Sequence, residues 1–193
     1  MPSYTTQDIR NIALVGQGAA GKTTLVEALL HQTGMIQSLG SIEKKNTVCD
    51  FDPEEKEHQH SLNSAIVNCD HAGHHINLID TPGMIEFSGH ALSALTAVET
   101  VAVVITAQHG VDMVARRVME RAVDRKLCRI IIVNKIDAEE VNLEQVVDQI
   151  QELFGKECLP INLPSGGGSA VVDVFNKAEG DVDFGSSTDA HTA

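Results

Sequence analysis

The sequence predicts an α/β fold, a mostly parallel sheet with helices on both faces and one antiparallel edge strand. Three observations predict it. Apolar runs of strand character alternate with helical-period stretches of about a dozen residues, the pattern of a parallel sheet covered on both sides. Two of the strand runs are separated only by a short turn sequence, which makes them a hairpin. The 193 residues are 42% hydrophobic, enough for one ordinary domain. With no Trp and a single Tyr, the core must rest on Val, Ile, Leu, Ala and Met.

The elements follow in chain order. Ile9–Val15 reads as a strand running into a glycine-rich turn. Residues 23–32 have helical spacing, with Leu25, Leu29 and Leu30 on one face. Residues 33–60 are polar, charged and punctuated by glycine, and connections of that length inside a compact domain are functional or mobile. Residues 62–69 and 74–79 are strands around the turn Asp70-His71-Ala72-Gly73. A buried strand follows at 101–106, then a helix over 111–125 with Val114, Val118, Ala122 and Lys126 at i, i+4 spacing. Residues 129–133 form the most apolar strand, and Leu143–Phe154 a helix with Val146, Val147, Ile150 and Phe154 facing inward. Beyond residue 164 come a glycine-rich segment, a short apolar run over 170–175 and a small, polar end that is expected to be poorly ordered.

The net charge of −13 argues against a module that grips nucleic acid by neutralising phosphates, so no direct DNA binding is expected. Cys49, Cys69, Cys128 and Cys158 lie far apart with no CxxC pair, and read as reduced thiols acting as small hydrophobes. Cys128 in particular is expected to pack, since it precedes a strand expected to be buried. No basic stretch leads an apolar segment at the start, and no apolar run approaches the ~20 residues of a membrane span. A cytoplasmic protein without membrane contact is the expectation. His58, His60, His71, His74 and His75 lack the spacing of a zinc site and read as solvated loop residues. The acidic run 50–57 reads as a solvated face.

Chemistry concentrates at predicted strand ends, where open α/β sheets bind ligands. Gly16-Gln17-Gly18-Ala19-Ala20-Gly21-Lys22-Thr23 is a complete GxxxxGK[ST] between a strand and a helix. Its small residues let backbone N–H groups wrap a phosphate, at the positive end of the helix. Lys22 suits the β- and γ-phosphates, and the Thr23 hydroxyl suits Mg²⁺. The same stretch satisfies GxGxxG, but Lys-Thr after the last glycine favours the phosphate loop. Asp80-Thr81-Pro82-Gly83 follows a strand. Asp80 there suits a water-mediated Mg²⁺ contact, and Gly83 offers an N–H to a γ-phosphate. Asn134-Lys135-Ile136-Asp137 ends the strand 129–133. The Asp137 carboxylate can accept both N–H donors of a guanine edge, a pair that adenine lacks, with Asn134 on the base edge and the Lys135 stem over the ring.

These three motifs in this order resemble the Ras-like P-loop GTPases. Gly18-Ala19-Ala20-Gly21-Lys22-Thr23-Thr24, Asp80-Thr81-Pro82-Gly83-Met84-Ile85-Glu86-Phe87 and Asn134-Lys135-Ile136-Asp137, with the acidic stretch 50–57, look like the G domain of elongation factor G from about residue 8 to about residue 175. The resemblance implies a translational GTPase that binds GTP and GDP with Mg²⁺ and works on the ribosome in its full-length form. It also implies departures. The family's first switch carries Arg-Gly-Ile-Thr where this chain reads His58-Gln59-His60-Ser61, so Ser61 is left as the metal-ligating hydroxyl. The family's water-positioning His after the DTPG motif is Met84 here, and a thioether cannot orient water. Loss of a positioned catalytic group typically costs on the order of 10²–10⁴ in rate. The expected outcome is firm nucleotide binding and slow hydrolysis, or a regulatory module with little turnover. By the same resemblance, 1–157 is the G-domain core, and 158–193 is the start of an inserted subdomain or a flexible tail. Alternatively, 158–163 is the core's last strand and the glycine-rich loop touches the base. An ATP-using P-loop kinase is the competing class, but its Arg-rich lid has no counterpart in 33–60, which contains no Arg.

Overall fold

The computed structural model describes residues 4–177 and 179–192. They fall into two compact units, one of residues up to 105 with 112–132, the other of 106–111 with 133 onward. The first unit carries the main sheet. Strands β1 (Ile9–Val15), β2 (Ala65–His71), β3 (His74–Asp80), β4 (Thr100–Thr106) and β5 (Cys128–Asn134) lie in the order β2-β3-β1-β4-β5. β1 pairs in parallel with β3 and β4, and β2 is antiparallel to β3. The expected parallel sheet with one antiparallel edge is therefore what the chain forms.

Local sequence explains the connections. The hairpin closes through Ala72 and Gly73 alone, both at positive φ (48° and 81°), with His71 opposite His74. Two left-handed residues make the tight hairpin turn whose twist matches the strands, so the loop is two residues rather than the expected four. Helix α1 (Lys22–Gln32) buries Lys22, Thr23, Val26, Glu27 and Leu30. Leu29 is exposed, because the buried stripe is centred on Val26 rather than on the leucines. The chain 33–60 is not a bare loop. It holds the short helix α2 (Pro53–His58), started by an Asp52/Glu55 capping box with Pro53 at the first helical position. The acidic run 50–57 is only partly the solvated face expected: Glu54 and Glu57 are exposed, while Asp50 and Glu55 are buried.

A 3₁₀ turn (Ile85–Phe87) and α3 (Ser88–Ala94) follow β3, and α4 (Met113–Asp124) follows β4. Asp112 caps α4 by accepting from the Ala115 N–H at 2.8 Å. The buried face of α4 is Ala115, Val118, Met119 and Ala122, with Val114 half-buried and Lys126 exposed beyond the helix end. β5 corrects a second expectation: as the sheet's edge strand it is half-buried at best, and Cys128 at its start is exposed. The cysteines buried as small hydrophobes are Cys49 and Cys69, packed with Leu14, Val26, Leu30 and Leu78 under α1.

The second unit contains helix α5 (Leu143–Phe154), capped by Asn142 and burying Val146 and Ile150. Strands β6 (Asn162–Ser165) and β7 (Ala170–Asp173) form a separate antiparallel pair, and α6 (Ser187–Thr192) lies near the end. The end expected to be poorly ordered thus carries regular structure up to Thr192, while Ala178 and Ala193 lie outside the described residues. β6 pairs with β7 and not with the main sheet, so the alternative of 158–163 as a last core strand does not hold. Among the described residues, no helix is long and apolar enough to cross a membrane.

Candidate nucleotide-binding site

The phosphate loop leaves β1 at Gly16, whose φ is 133°. A Cβ there would stand 2.1 Å from the Val104 carbonyl oxygen, so the position excludes every other residue. α1 then starts behind Gly21 with no side-chain cap and no acidic residue in its first turn. With no side chain capping them, its first N–H groups stand at the positive end of the helix dipole, which favours an anion. Ala20 is fully buried beneath the loop, and Thr24 is exposed. The Lys22 ammonium turns back over the loop and donates to the Gly16 and Gln17 carbonyls at 3.0 and 2.8 Å. Burial holds its pKa down at about 8, while the Asp80 and Asp112 carboxylates work in the opposite direction.

The DTPG motif arrives from β3. The buried Thr81 donates to the Leu14 carbonyl at 2.8 Å, which ties the motif to the end of β1. Gly83 lies against the phosphate loop so closely that a Cβ would be 2.4 Å from Lys22 Nζ and 2.6 Å from the Gln17 carbonyl oxygen. Only a glycine backbone can come that near. Met84 follows with a side chain 38% exposed, and Ile85 and Glu86 are exposed after it.

Beside Lys22 sits a cluster of oxygens. Thr23 Oγ1 donates to Asp80 Oδ2 at 2.6 Å and lies 3.4 Å from Ser61 Oγ. Ser61 donates to Asp50 Oδ1 at 2.8 Å, and Thr47 donates to Asp50 Oδ2 at 2.8 Å. Burial raises the Asp80 pKa to about 6, against the opposing Thr23 bond and the Lys22 charge. Asp80 Oδ1 is buried with no hydrogen bond of ordinary geometry; the Cys49 thiol beside the carboxylate is at most a weak donor. Burial among these carboxylates pushes the Cys49 thiol far above its usual range and keeps it protonated. An orphaned carboxylate oxygen beside two hydroxyls is a hard-oxygen donor set that fits Mg²⁺, which takes few protein ligands and completes its shell with phosphates and water. Among the described residues, no three His, Cys, Asp or Glu are grouped to hold a metal by themselves.

The third motif stands in the second unit. The Asn134 carbonyl at the end of β5 accepts from the Ala107 N–H at 2.9 Å. Lys135 follows in the left-handed region (φ 57°), which turns the chain sharply at the strand end. Lys135 and Asp137 are exposed. Within the same unit, Gly168 packs on this turn so tightly that a Cβ would meet the Ile136 carbonyl oxygen at 2.4 Å.

The structure thus brings Gly16, Gln17, Gly18, Lys22, Thr23, Ser61, Asp80 and Gly83 into one neighbourhood. Sequence reading missed Glu27, Asp50 and Glu55, three buried carboxylates that order the loop around Ser61. Glu27 had a signal: it falls at i+4 from Thr23 and i−3 from Leu30, inside the apolar stripe of α1. His75 is also better placed than expected, half-buried with Nδ1 2.7 Å from Asp70 Oδ1.

Comparison with known proteins converges on one family. The family model described as the elongation factor Tu GTP binding domain matches residues 7–190. An elongation factor G-like protein of Mycobacterium tuberculosis is 36% identical over 160 residues, covering 83% of this chain and 22% of that one. Elongation factor G 2 of Streptomyces coelicolor is 35% identical over 169 residues, 86% of this chain and 25% of that one. The mitochondrial ribosome-releasing factor 2 of Mus musculus is 35% identical over 172 residues, 88% of this chain and 22% of that one. A crystal structure of a Thermus thermophilus protein superposes with a TM-score of 0.81 at 34% identity, covering 87% of this chain and 26% of that one. This chain therefore spans about a quarter of the length of these relatives. It belongs to the elongation factor Tu-type GTP-binding domain family, and its relatives there are elongation factor G-like.

Proposed function

We propose that this chain is the GTP-binding switch module of an elongation factor G-like translation factor, whose GTP hydrolysis is coupled to the ribosome and slow without it. The carrying observation is the buried oxygen cluster of Thr23, Ser61 and Asp80 beside Lys22 and Gly83. In this reading the backbone from Gly16 to Thr24, including Ala19, Ala20 and Gly21, wraps the phosphates. Lys22 exchanges its carbonyl partners for phosphate oxygens, and the Gly83 N–H meets the γ-phosphate. Thr23 and Ser61 would hold Mg²⁺, with Asp80 holding a water on it; when bound, the ion would supply charge neutralisation at the phosphates. Asn134, Lys135 and Asp137 read the guanine. A cytoplasmic place of work goes with this role.

Two measurements test it. Calorimetric titration should show GDP bound far more tightly than ATP, and equal affinities sink the guanine assignment. Phosphate release by the full-length factor should rise by orders of magnitude when ribosomes are added. The second reading, a regulatory module with little turnover, is favoured by Met84, whose half-exposed thioether has no proton to share and no strong acceptor for water. A flat response to ribosomes selects that reading.

A further inference from the structure

The turn that carries Asn134 to Asp137 rests on a support that none of the three motifs accounts for. Lys135 and Asp137 are exposed, and Lys135 holds its left-handed φ of 57° without being glycine. A conformation of that kind persists where the surrounding structure holds it. Against the turn, within the second unit, lies the tip of the β6–β7 hairpin. Gly168 is the one buried residue of that tip, and a Cβ on it would stand 2.4 Å from the Ile136 carbonyl oxygen and 3.2 Å from the Asp137 nitrogen. The tip is itself tied down. The Gly167 and Gly168 N–H groups donate to the two carboxylate oxygens of Asp183, at 3.1 and 3.0 Å. The Asp183 N–H donates to the Pro164 carbonyl at 2.9 Å, and the Ser169 hydroxyl closes the loop onto the Gly166 carbonyl at 2.8 Å. Gly166, Gly167 and Gly168 have φ of 64°, 68° and 78°, a left-handed run that glycine adopts without steric cost.

The tip is thus a preformed block whose buried residue touches the peptide that leads into Asp137. A carboxylate that accepts two N–H donors from a planar base edge has to be held within about 0.5 Å of its place, and a short side chain reaches only as far as its backbone lets it. We infer that Gly168 and Asp183 are positioning residues for guanine recognition: the hairpin tip, fastened by Asp183, fixes the Ile136–Asp137 peptide and with it the Asp137 carboxylate. Gly168 does this by allowing the close approach, and Asp183 by holding the tip in register. The hairpin, which carries none of the three motifs, thereby takes part in selecting the base. The inference rests on the proposed assignment of Asp137 to the guanine edge.

Calorimetric titration with GDP, inosine diphosphate (IDP) and ADP, each with Mg²⁺, tests it. Inosine keeps the N1–H of guanine and lacks the exocyclic amine, so a displaced Asp137 carboxylate loses two bonds with GDP and one with IDP. Gly168→Ala should weaken GDP about 30-fold and IDP about fivefold, which narrows the preference for GDP. Asp183→Ala adds no atom and should repeat the pattern more gently, at about fivefold for GDP and about twofold for IDP. Asp183→Asn keeps one acceptor oxygen and should recover part of that loss. Placed on top of Asp137→Ala, Gly168→Ala should cost less than about twofold further, because the carboxylate it positions is gone. Equal weakening of GDP and IDP, the mark of a merely structural role, overturns the inference, as does a GDP affinity that Gly168→Ala leaves unchanged. A wild-type chain that binds ADP as tightly as GDP defeats the guanine reading itself, and the inference with it.

Discussion

The two segments that flank the phosphate loop are built on opposite plans. The first, 40–63, ends its backbone donors on Glu27 and Glu55 and its Ser61 hydroxyl on Asp50, all inside the fold. The second, from Thr81, is anchored at the Leu14 carbonyl and at the Gly83–Lys22 contact, then leaves the interior at Met84. The first segment ends its loop donors on buried carboxylates, whereas the second is held by one buried hydroxyl bond to a carbonyl and by the close approach of Gly83.

The contrast can be broken at Lys22, where the second segment meets the phosphate loop. Lys22→Ala removes a charged donor set and should weaken Mg·GDP binding about 100-fold or more in calorimetry, at about 1.5–3 kcal/mol per charged bond. Exchange over 40–63 should be unaffected, since no bond of that segment ends on Lys22. Met84→His gives the exposed segment a group that can orient water, and phosphate release should rise about 100-fold or more if Met84 alone limits the rate. No change in the measured rate places the limit in the first segment. Thr81→Val removes the second segment's buried hydroxyl bond to the Leu14 carbonyl. It should cost about 1 kcal/mol in chemical denaturation and increase exchange over 82–87 without touching 40–63.

The smallest expected effect is a pH profile. The Asp80 pKa, raised from 3.8 to about 6, means that the free folded protein keeps a proton that the unfolded chain has lost. Its contribution to stability therefore falls as pH rises between those values. Mg²⁺ prefers the ionised carboxylate, so metal-dependent nucleotide affinity should climb as pH passes about 6. Lys22, lowered to about 8, loses its charge above that point in the free protein, and affinity should decline there. Titration of GDP binding across that range, with and without Mg²⁺, checks both limbs. A profile that is flat in Mg²⁺ removes Asp80 from the metal site.

Much of this was legible from residues alone. The glycine spacing, Lys22-Thr23, and an Asp at the end of an apolar strand are local patterns, and local chemistry explains them. The α4 and β5 environments were misread because period reports which side is apolar, not how much of it neighbours cover. β5 is apolar yet lies at the sheet edge, so Cys128 is exposed while Cys49, in a polar stretch, is buried. Asp50 and Glu55 looked like solvated charge because composition cannot tell a carboxylate that meets backbone N–H groups from one that meets water.

By itself the sequence determined the five strands of the main sheet, the helices that follow β1, β4 and β5, the phosphate loop and the Asn134-Lys135-Ile136-Asp137 turn, because each depends on backbone conformations and residue types within a few positions. Only the tertiary structure decided that the first segment ends on three buried carboxylates and that the second is exposed at Met84, Ile85 and Glu86. Those outcomes depend on which surfaces α1, β1 and β3 bring against residues tens of positions away, and burial of that kind is a property of the assembled fold rather than of any local pattern.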